Sequence, residues 1–303
     1  MADVKLFRLT GAVASELAGE STVLEKPLQT LIERNLETLL GVRFLESEYS
    51  TGRVHGGRID TLGIDENDCP VIVEYKRDSS DTVINQGLFY LDWLMDHRAE
   101  FELLVQKRMG VEAAQAVDWS SPRLICIAGD FTRYDDHAVR QISRNIDLIR
   151  YKRFGSELLL FELATTTGTT GYGTRPARSP QAGAKSADKP FVEVLAAADA
   201  SVRAWYEELR DFITHLGDDV DEKQVKLYVA FRRIKNFACV VASAHKLIVY
   251  LKIDPTTVAI EEGFMRDVRQ IGHWATGDLE LTVDSGDRVE QAKAWLRRAY
   301  EGG

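Results

Sequence analysis

The chain has 303 residues, 45% hydrophobic and 28% charged, with a formal net charge of -9. That composition belongs to a folded globular chain, and the length to two domains rather than one. The acidic balance excludes a nucleic-acid binder that works by bulk charge alone, so any such role must rest on a local basic patch.

In chain order, the start "MADVKLFRLTGAVASELAGE" lacks the basic head and unbroken apolar stretch of a signal peptide. Next, "TVLEKPLQTLIERNLETLLG" places Leu24, Leu28, Leu31, Ile32, Leu36, Leu39 and Leu40 at helical spacing, with Pro27 in the first turn and Gly41 as a stop. Three strand-like runs follow: "VRFLESEYS", "RIDTLGID" and "PVIVEYKR". The Asp- and Asn-rich "DENDCP" forms a turn between the last two. A long helix is predicted from about Asp81 to Met109. Then come a buried strand "RLICIAG", a helix "YDDHAVRQISRNI" and the closing strands "IDLIRYKRF" and "ELLLFEL". Helix, three strands, helix, strand, helix, strands is the order of an α/β layer with a mixed sheet.

The segment from Thr165 to Pro190 is rich in Gly, Thr, Ala, Pro and Ser and reads as a flexible linker between domains 1–164 and 191–303. The second domain opens with a helix from about Phe191 to Leu216. It continues with period-two strands in "VKLYVAFRRI", "FACVVASAHKLIVYLKI" and "DLELTVD", and ends with the helix "DRVEQAKAWLRRAYE". This is a smaller α+β unit. Its Lys226, Arg232 and Arg233 lie among Tyr228, Phe231 and Phe237, an interleaving that suits phosphate contact with base stacking. An amphipathic strand pair with aromatics inward explains the same pattern. Cys69, Cys126 and Cys239 are far apart and share no C-x-x-C spacing, so neither a disulfide framework nor a zinc site follows. Reduced thiols, and the lack of any window long enough to span a membrane, predict a cytoplasmic location.

The chemistry concentrates between Gly56 and Asp81. Glu74 and Lys76 are two apart on an apolar strand, so both point to one face. Asp60 sits on the preceding strand. Two carboxylates brought together repel unless a cation lies between them. Hard oxygen donors suit Mg2+ or Mn2+, which polarises a phosphoryl oxygen and lowers the pKa of a bound water. On the following helix, Gln86 and Tyr90 are spaced i, i+4 and share a face.

The set "RID" ending at Asp60, "VEYK" with Glu74 and Lys76, and "QGLFY" with Gln86 and Tyr90 resembles the PD-(D/E)XK nuclease superfamily. It is most similar to the catalytic domain of NucS-like endonucleases in the RecB-like branch, over roughly Leu24 to Leu163. The resemblance implies a restriction-endonuclease-like mixed sheet flanked by helices. It also implies a Mg2+- or Mn2+-dependent nuclease, with DNA preferred over RNA as partner. By the same resemblance, Asp60, Glu74 and the carbonyl of Tyr75 are metal ligands, joined by an acid of the first helix. Glu25 is the choice there, with Glu33 and Glu37 as alternatives. Lys76 positions the attacking water, Gln86 holds substrate or metal-bound water, and Tyr90 packs near the nucleic-acid strand. Arg58 either contacts phosphate or pairs with Glu74 or another acid, and Arg77 extends the basic side of the site. NucS-like enzymes carry their DNA-binding domain before the nuclease, whereas here the extra domain follows, so substrate choice does not transfer. The C-terminal part is similar to a domain of unknown function, through which a homodimer or a protein partner would form. The rivals are a non-catalytic nucleic-acid or protein-binding scaffold and a nuclease subunit that needs a partner.

Overall fold

The computed structural model describes residues 4–20, 25–76, 82–167, 189–272 and 275–302, without the side chains of Glu25 and Thr82. The chain divides into two compact units, Met1–Thr167 and Gly168–Gly303. The segment expected to be a linker, 165–190, falls mostly outside the described residues.

The first unit begins with a hairpin, β1 (Leu6–Thr10) and β2 (Val13–Leu17), and the short β3 (Gly19–Glu20). It continues with α1 (Glu25–Arg34), α2 (Leu36–Leu40), β4 (Val42–Ser50), the one-turn α3 (Gly52–His55), β5 (Arg58–Asp65) and β6 (Pro70–Lys76). Then follow α4 (Thr82–Asp96), α5 (Arg98–Met109), α6 (Val111–Ala116), β7 (Arg123–Ala128), α7 (Arg133–Arg140), β8 (Asn145–Phe154) and β9 (Leu158–Thr167). The main sheet has the order β3-β8-β7-β6-β5-β4, with β9 paired to β8. β6, β7 and β8 are parallel and the remaining pairs antiparallel. The mixed sheet with flanking helices is the architecture expected of the sequence.

The strand chemistry follows from position. β7 is buried along its whole length and β6 up to Tyr75, which is why both read as near-continuous apolar runs. Ile72, Leu124, Cys126 and Leu148 point to the face that packs on Leu91 and Leu94 of α4. The other face carries Val71, Val73, Ile125 and Ile127, also buried, and α1 contacts β5 and β6. Two predicted helices are each broken once. The helix expected over 24–40 stops at Asn35, whose Nδ2 donates to the Leu31 carbonyl while its backbone leaves the α region (φ -127°, ψ 23°). A side chain that bonds its own helix competes with propagation. The long helix expected to Met109 breaks at His97 (φ -113°, ψ 36°), where the ring Nδ1 lies 2.8 Å from the Trp93 carbonyl.

Gly63 fixes a feature that the site depends on. It pairs with Phe44 just where β4 carries a bulge between Phe44 and Glu46. A Cβ on Gly63 would lie 2.8 Å from the Arg43 carbonyl oxygen and 2.5 Å from Val42 Cγ1. Gly63→Ala is therefore expected to destabilise the first unit by about 1–3 kcal/mol, the usual range for overpacking. Urea denaturation checks this, and an unchanged midpoint would show that the bulge tolerates a side chain.

The second unit comprises α8 (Phe191–Ala197), α9 (Ala200–Thr214), β10 (Asp221–Gln224), β11 (Val229–Arg232), β12 (Asn236–Ala242), β13 (Leu247–Leu251), β14 (Met265–Asp267), β15 (Leu279–Val283) and α10 (Gly286–Glu301). Its sheet, β10-β11-β12-β13-β15-β14, is antiparallel throughout. One face packs Val240, Val249 and Leu281 on Val202 and Leu209 of α9 and Leu296 of α10. The opposite face gathers Tyr228, Cys239 and Tyr250 under Val268 and Ala275. The expected opening helix is split before Asp199, which is extended at φ -55°, ψ 151°. All three cysteines are buried, and none of them is in a disulfide. Among the described residues no helix is long and apolar enough to cross a membrane.

Candidate active site

The turn after β5 sets the register on which the site depends. Asp65 Oδ1 accepts from the amides of Asn67 and Cys69 at 2.8 and 2.9 Å, and Asp68 takes up a left-handed backbone at φ 59°. Short polar side chains favour such local closure. The resulting ladder pairs Ile64 with Pro70, Leu62 with Ile72 and Thr61 with Val73, and there it ends. The next pair in that register would be Asp60 and Glu74. Their side chains carry the connection beyond the ladder. The Tyr75 amide donates to Asp60 Oδ2 at 3.1 Å, and the Asp60 amide donates to Glu74 Oε1 at 3.1 Å.

Asp60 and Glu74 share the strand face of Leu62 and Ile72, which is the face covered by α4. α4 brings Gln86 and Tyr90 there. Gln86 Nε2 donates to Glu74 Oε2 at 2.9 Å and reaches the Tyr90 hydroxyl at 3.5 Å. The Tyr90 hydroxyl also accepts from the Arg58 amide at 3.2 Å. Asp60, Glu74, Gln86 and Tyr90 thus form one connected group. Lys76 follows, half-buried, as the last residue of β6. A cleft of about 510 Å³ opens beside them, lined by Asp60, Gln86, Tyr90, Arg58, Glu48 and the glycines of the 51–57 loop.

Burial governs the charge state of this group. Glu74 is only 1% exposed. Loss of water, followed by the neighbouring Asp60 charge, pushes its carboxyl up to about 9, while Lys76 pulls the other way. Burial likewise holds the Tyr75 hydroxyl well above the usual phenol range. A carboxyl that holds its proton more tightly folded than unfolded contributes stability in full below about pH 4.5. That contribution is lost as the pH rises towards 9. Glu74→Gln is neutral at every pH and keeps an acceptor for the Asp60 amide. In EDTA, its thermal midpoint relative to the parent is expected to climb between pH 5 and pH 8.5. A difference that does not change with pH would show that Glu74 is already ionised.

A hard divalent cation would remove the same penalty, because it prefers oxygen donors of the kind that Asp60, Glu74 and the Tyr75 carbonyl offer. Among the described residues no group of three or more His, Cys, Asp and Glu side chains is arranged to hold a metal ion. Other positions around an ion here would fall to backbone oxygen and water.

Of the first-helix acids, Glu25 opens α1, but its side chain lies outside the described residues. Glu37 is exposed. Glu33 reaches the β5 strand: its Oε1 accepts from Thr61 Oγ1 at 2.7 Å and from Gln29 Nε2 at 2.9 Å. Gln29 itself is buried and donates to the Asp60 carbonyl at 2.7 Å, tying α1 to the strand end. Sequence reading passed over Gln29 because a polar residue on a helix is ordinarily solvated. It also passed over Glu48, which has a left-handed backbone (φ 54°) on β4 and lines the cleft. A hydrogen bond from Lys26 at 2.7 Å holds the Glu48 carboxyl below its usual range, and Arg58 lies 3.7 Å away. Arg58 lines the cleft with this acid beside it, whereas Arg77 lies outside the described residues.

The basic cluster of the second unit is not assembled as a binding surface. Tyr228, Phe231 and Phe237 are buried, so the aromatics face inward. Arg232, expected at phosphate, is instead an interior residue: it is 1% exposed and its Nε donates to Asp221 at 2.7 Å. A guanidinium buried with its carboxylate has strong reason to stay there. Arg233 is bonded to Asp219 at 2.5 Å and lies over the Tyr300 ring. Lys226 is exposed. His273 and Trp274 lie outside the described residues.

Comparison with known proteins gives four findings. The chain is 26% identical over 304 residues to a Haemophilus influenzae protein named only "Uncharacterized protein", covering 98% of this chain and 100% of that one. Among solved structures, a repair endonuclease from Pyrococcus abyssi matches 43% of this chain at 17% identity and a TM-score of 0.29. An EndoMS–dsDNA complex matches 43% at 18% identity and a TM-score of 0.27. The chain covers 49% and 47% of those two structures, about half the length of each. Residues 192–302, which lie within the second unit, match the family described as Domain of unknown function (DUF5655).

Proposed function

We propose that the first unit is a Mg2+- or Mn2+-dependent nuclease of the PD-(D/E)XK type that hydrolyses phosphodiester bonds, with DNA as its substrate. The observation that carries this reading is the meeting of Asp60 and Glu74 at adjacent strand ends, with Lys76 two residues along. The sequence order D…E-x-K…Q-x-x-x-Y supports it, as does the hydrogen bond from Gln86 to Glu74.

In this reading Asp60, Glu74 and the Tyr75 carbonyl hold the cation, with Glu33 the described first-helix acid nearest to hand. The cation supplies Lewis-acid polarisation of the phosphoryl oxygen and a water of lowered pKa. Lys76 orients the attacking water and steadies the negative charge that develops. Gln86 fixes the outer oxygen of Glu74, so that the carboxylate keeps its orientation when ionised. Arg58, at the rim, meets the phosphate that flanks the reacting one. The second unit is an accessory domain for a partner or a second copy.

The test is cleavage of labelled single-stranded, duplex, flap and RNA substrates with Mg2+, Mn2+ or EDTA, together with Mn2+ binding by calorimetry. Cutting that requires a divalent cation is the expected result. Neither cutting nor Mn2+ binding would overturn the reading and leave a scaffold. Mn2+ binding without cutting would assign the activity to a complex with a partner.

A further inference from the structure

Asp60 leaves the ladder on both sides at once. The register with β6 ends at Thr61, and β4 passes from Ser47 opposite Thr61 to Tyr49 opposite Ile59. Glu48, which would face Asp60 between them, has its left-handed backbone there, at φ 54°. Side chains hold the Asp60 main chain instead. Its amide donates to Glu74 Oε1, and its carbonyl accepts from Gln29 Nε2 at 2.7 Å. α1 thus reaches Asp60 from the side of Thr61, to which Glu33 is bonded, whereas α4 reaches Glu74 through Gln86.

Gln29 is only 4% exposed, yet it is polar at both ends. Besides the Asp60 carbonyl, its Nε2 donates to Glu33 Oε1 at 2.9 Å and lies 3.2 Å from Ser47 Oγ, while its Oε1 accepts from Lys26 Nζ at 3.2 Å. These partners fix which way the amide faces. An ammonium only donates and a carbonyl only accepts, so Oε1 is turned to Lys26 and Nε2 to Asp60. Lys26 is held in turn by Glu48 at 2.7 Å. Docking of α1 does not require this, because Leu28 and Ile32 beside it are already buried. A buried amide is costly unless its hydrogen bonds are made, and an apolar residue would dock the helix without that cost. The bonds of Gln29 converge on one place, the main chain of Asp60 and the acid Glu33.

We infer that Gln29 is a positioning residue of the cation site: it sets the plane of the Asp60 peptide and holds Glu33, so that their oxygens are in place before a divalent cation arrives. The inference rests on the nuclease reading above and adds to it a residue that does not line the cleft. Groups that orient metal ligands are worth about 10- to 100-fold in metal affinity or activity. Here the loss falls on affinity, because a high concentration of cation draws loosened ligands into place by mass action.

The experiment compares the full chain with its Gln29→Met and Gln29→Glu variants by Mn2+ calorimetry, without substrate. Methionine keeps the length and removes the hydrogen bonds. Glutamate keeps the acceptor for Lys26 but turns a second oxygen on the Asp60 carbonyl and on Glu33. Both variants are expected to bind Mn2+ at least about tenfold more weakly. The glutamate result separates positioning from charge, since an added carboxylate by itself would tighten cation binding. Cleavage by Gln29→Met at saturating Mn2+ is expected to return to the parental rate, with an unchanged KM for the oligonucleotide. Mn2+ affinity of Gln29→Met within about twofold of the parent would overturn the inference. So would tighter binding by Gln29→Glu, or a rate that stays low however much Mn2+ is added. Thermal midpoints in EDTA verify the fold, and failure of both variants to fold would make Gln29 a structural residue and overturn the inference as well. In each of these cases Mn2+ binding by the parent leaves the nuclease reading standing, whereas a parent that neither binds Mn2+ nor cuts would overturn both.

Discussion

Asp60→Asn is expected to lower divalent-cation-dependent cleavage by at least about a hundredfold without unfolding the chain. Metal stabilisation of a phosphoryl transition state is worth several kcal/mol, and each 1.36 kcal/mol is a factor of ten in rate, so the loss lies at about 10²–10⁴. The substitution is chosen for its geometry. Asparagine keeps a side-chain oxygen that can accept from the Tyr75 amide, as Asp60 Oδ2 does at 3.1 Å. The Asp60 amide that donates to Glu74 Oε1 is a backbone group and is untouched. Charge is removed while the splice between β5 and β6 remains. Lys76→Ala is expected to fall by a similar factor but to retain Mn2+ binding, because it supplies no ligand. Initial rates with Mn2+ calorimetry check both variants. An Asp60→Asn protein that still cuts at the parental rate would exclude Asp60 from the chemistry.

The largest stability effect is expected on the sheet face away from α4. Arg123 opens β7, Asp147 lies on the parallel neighbour β8, and their side chains pair at 2.5 Å with exposures of 2% and 0%. Thr166 on β9 donates to the other Asp147 oxygen at 2.6 Å. Removing one member of a buried pair leaves a charge without its counterion and typically costs about 3–5 kcal/mol. Asp147→Ala should therefore lower the unfolding free energy by that amount, enough to unfold a marginal domain. The double substitution Arg123→Met, Asp147→Leu removes both charges and is expected to recover most of the loss, since an apolar replacement of a buried pair is often neutral. Chemical denaturation of the parent, Asp147→Ala, the single variants Arg123→Met and Asp147→Leu and the double variant measures the coupling. An Asp147→Ala loss below about 1 kcal/mol would show that water reaches the pair.

Much of the first unit was legible in the sequence because its signals are local. The apolar runs of β6 and β7, the turn residues before Pro70 and the i, i+4 spacing of Gln86 and Tyr90 each follow from a few adjacent residues. The acids Asp60 and Glu74 were legible for the same reason: period two and a short connecting turn put both at one sheet end. The helix breaks at Asn35 and His97 were not, because apolar periodicity continues across each of them while the change lies in the backbone angles. The exposed hairpin of β1 and β2 was missed because its residues show no buried face.

The residues that surround the acids were decided by tertiary structure. Gln29 is a buried strut only because α1 lies over the end of β5, and Glu33 meets Thr61 for that reason. Glu48 enters the cleft through a bulge and a left-handed backbone that no spacing rule announces. Arg232 and Arg233 look alike in sequence, yet one is interior and the other at the surface, since Arg232 is the last residue of β11, which is buried throughout, and Arg233 stands in the turn that follows. By itself the sequence determined the buried strands, most of the helical stretches and the positions of the two acids, the lysine and the i, i+4 pair along them, because those depend on periodicity within a few residues. Only the tertiary structure decided which polar groups lose their water, since burial depends on what distant segments bring to the same place.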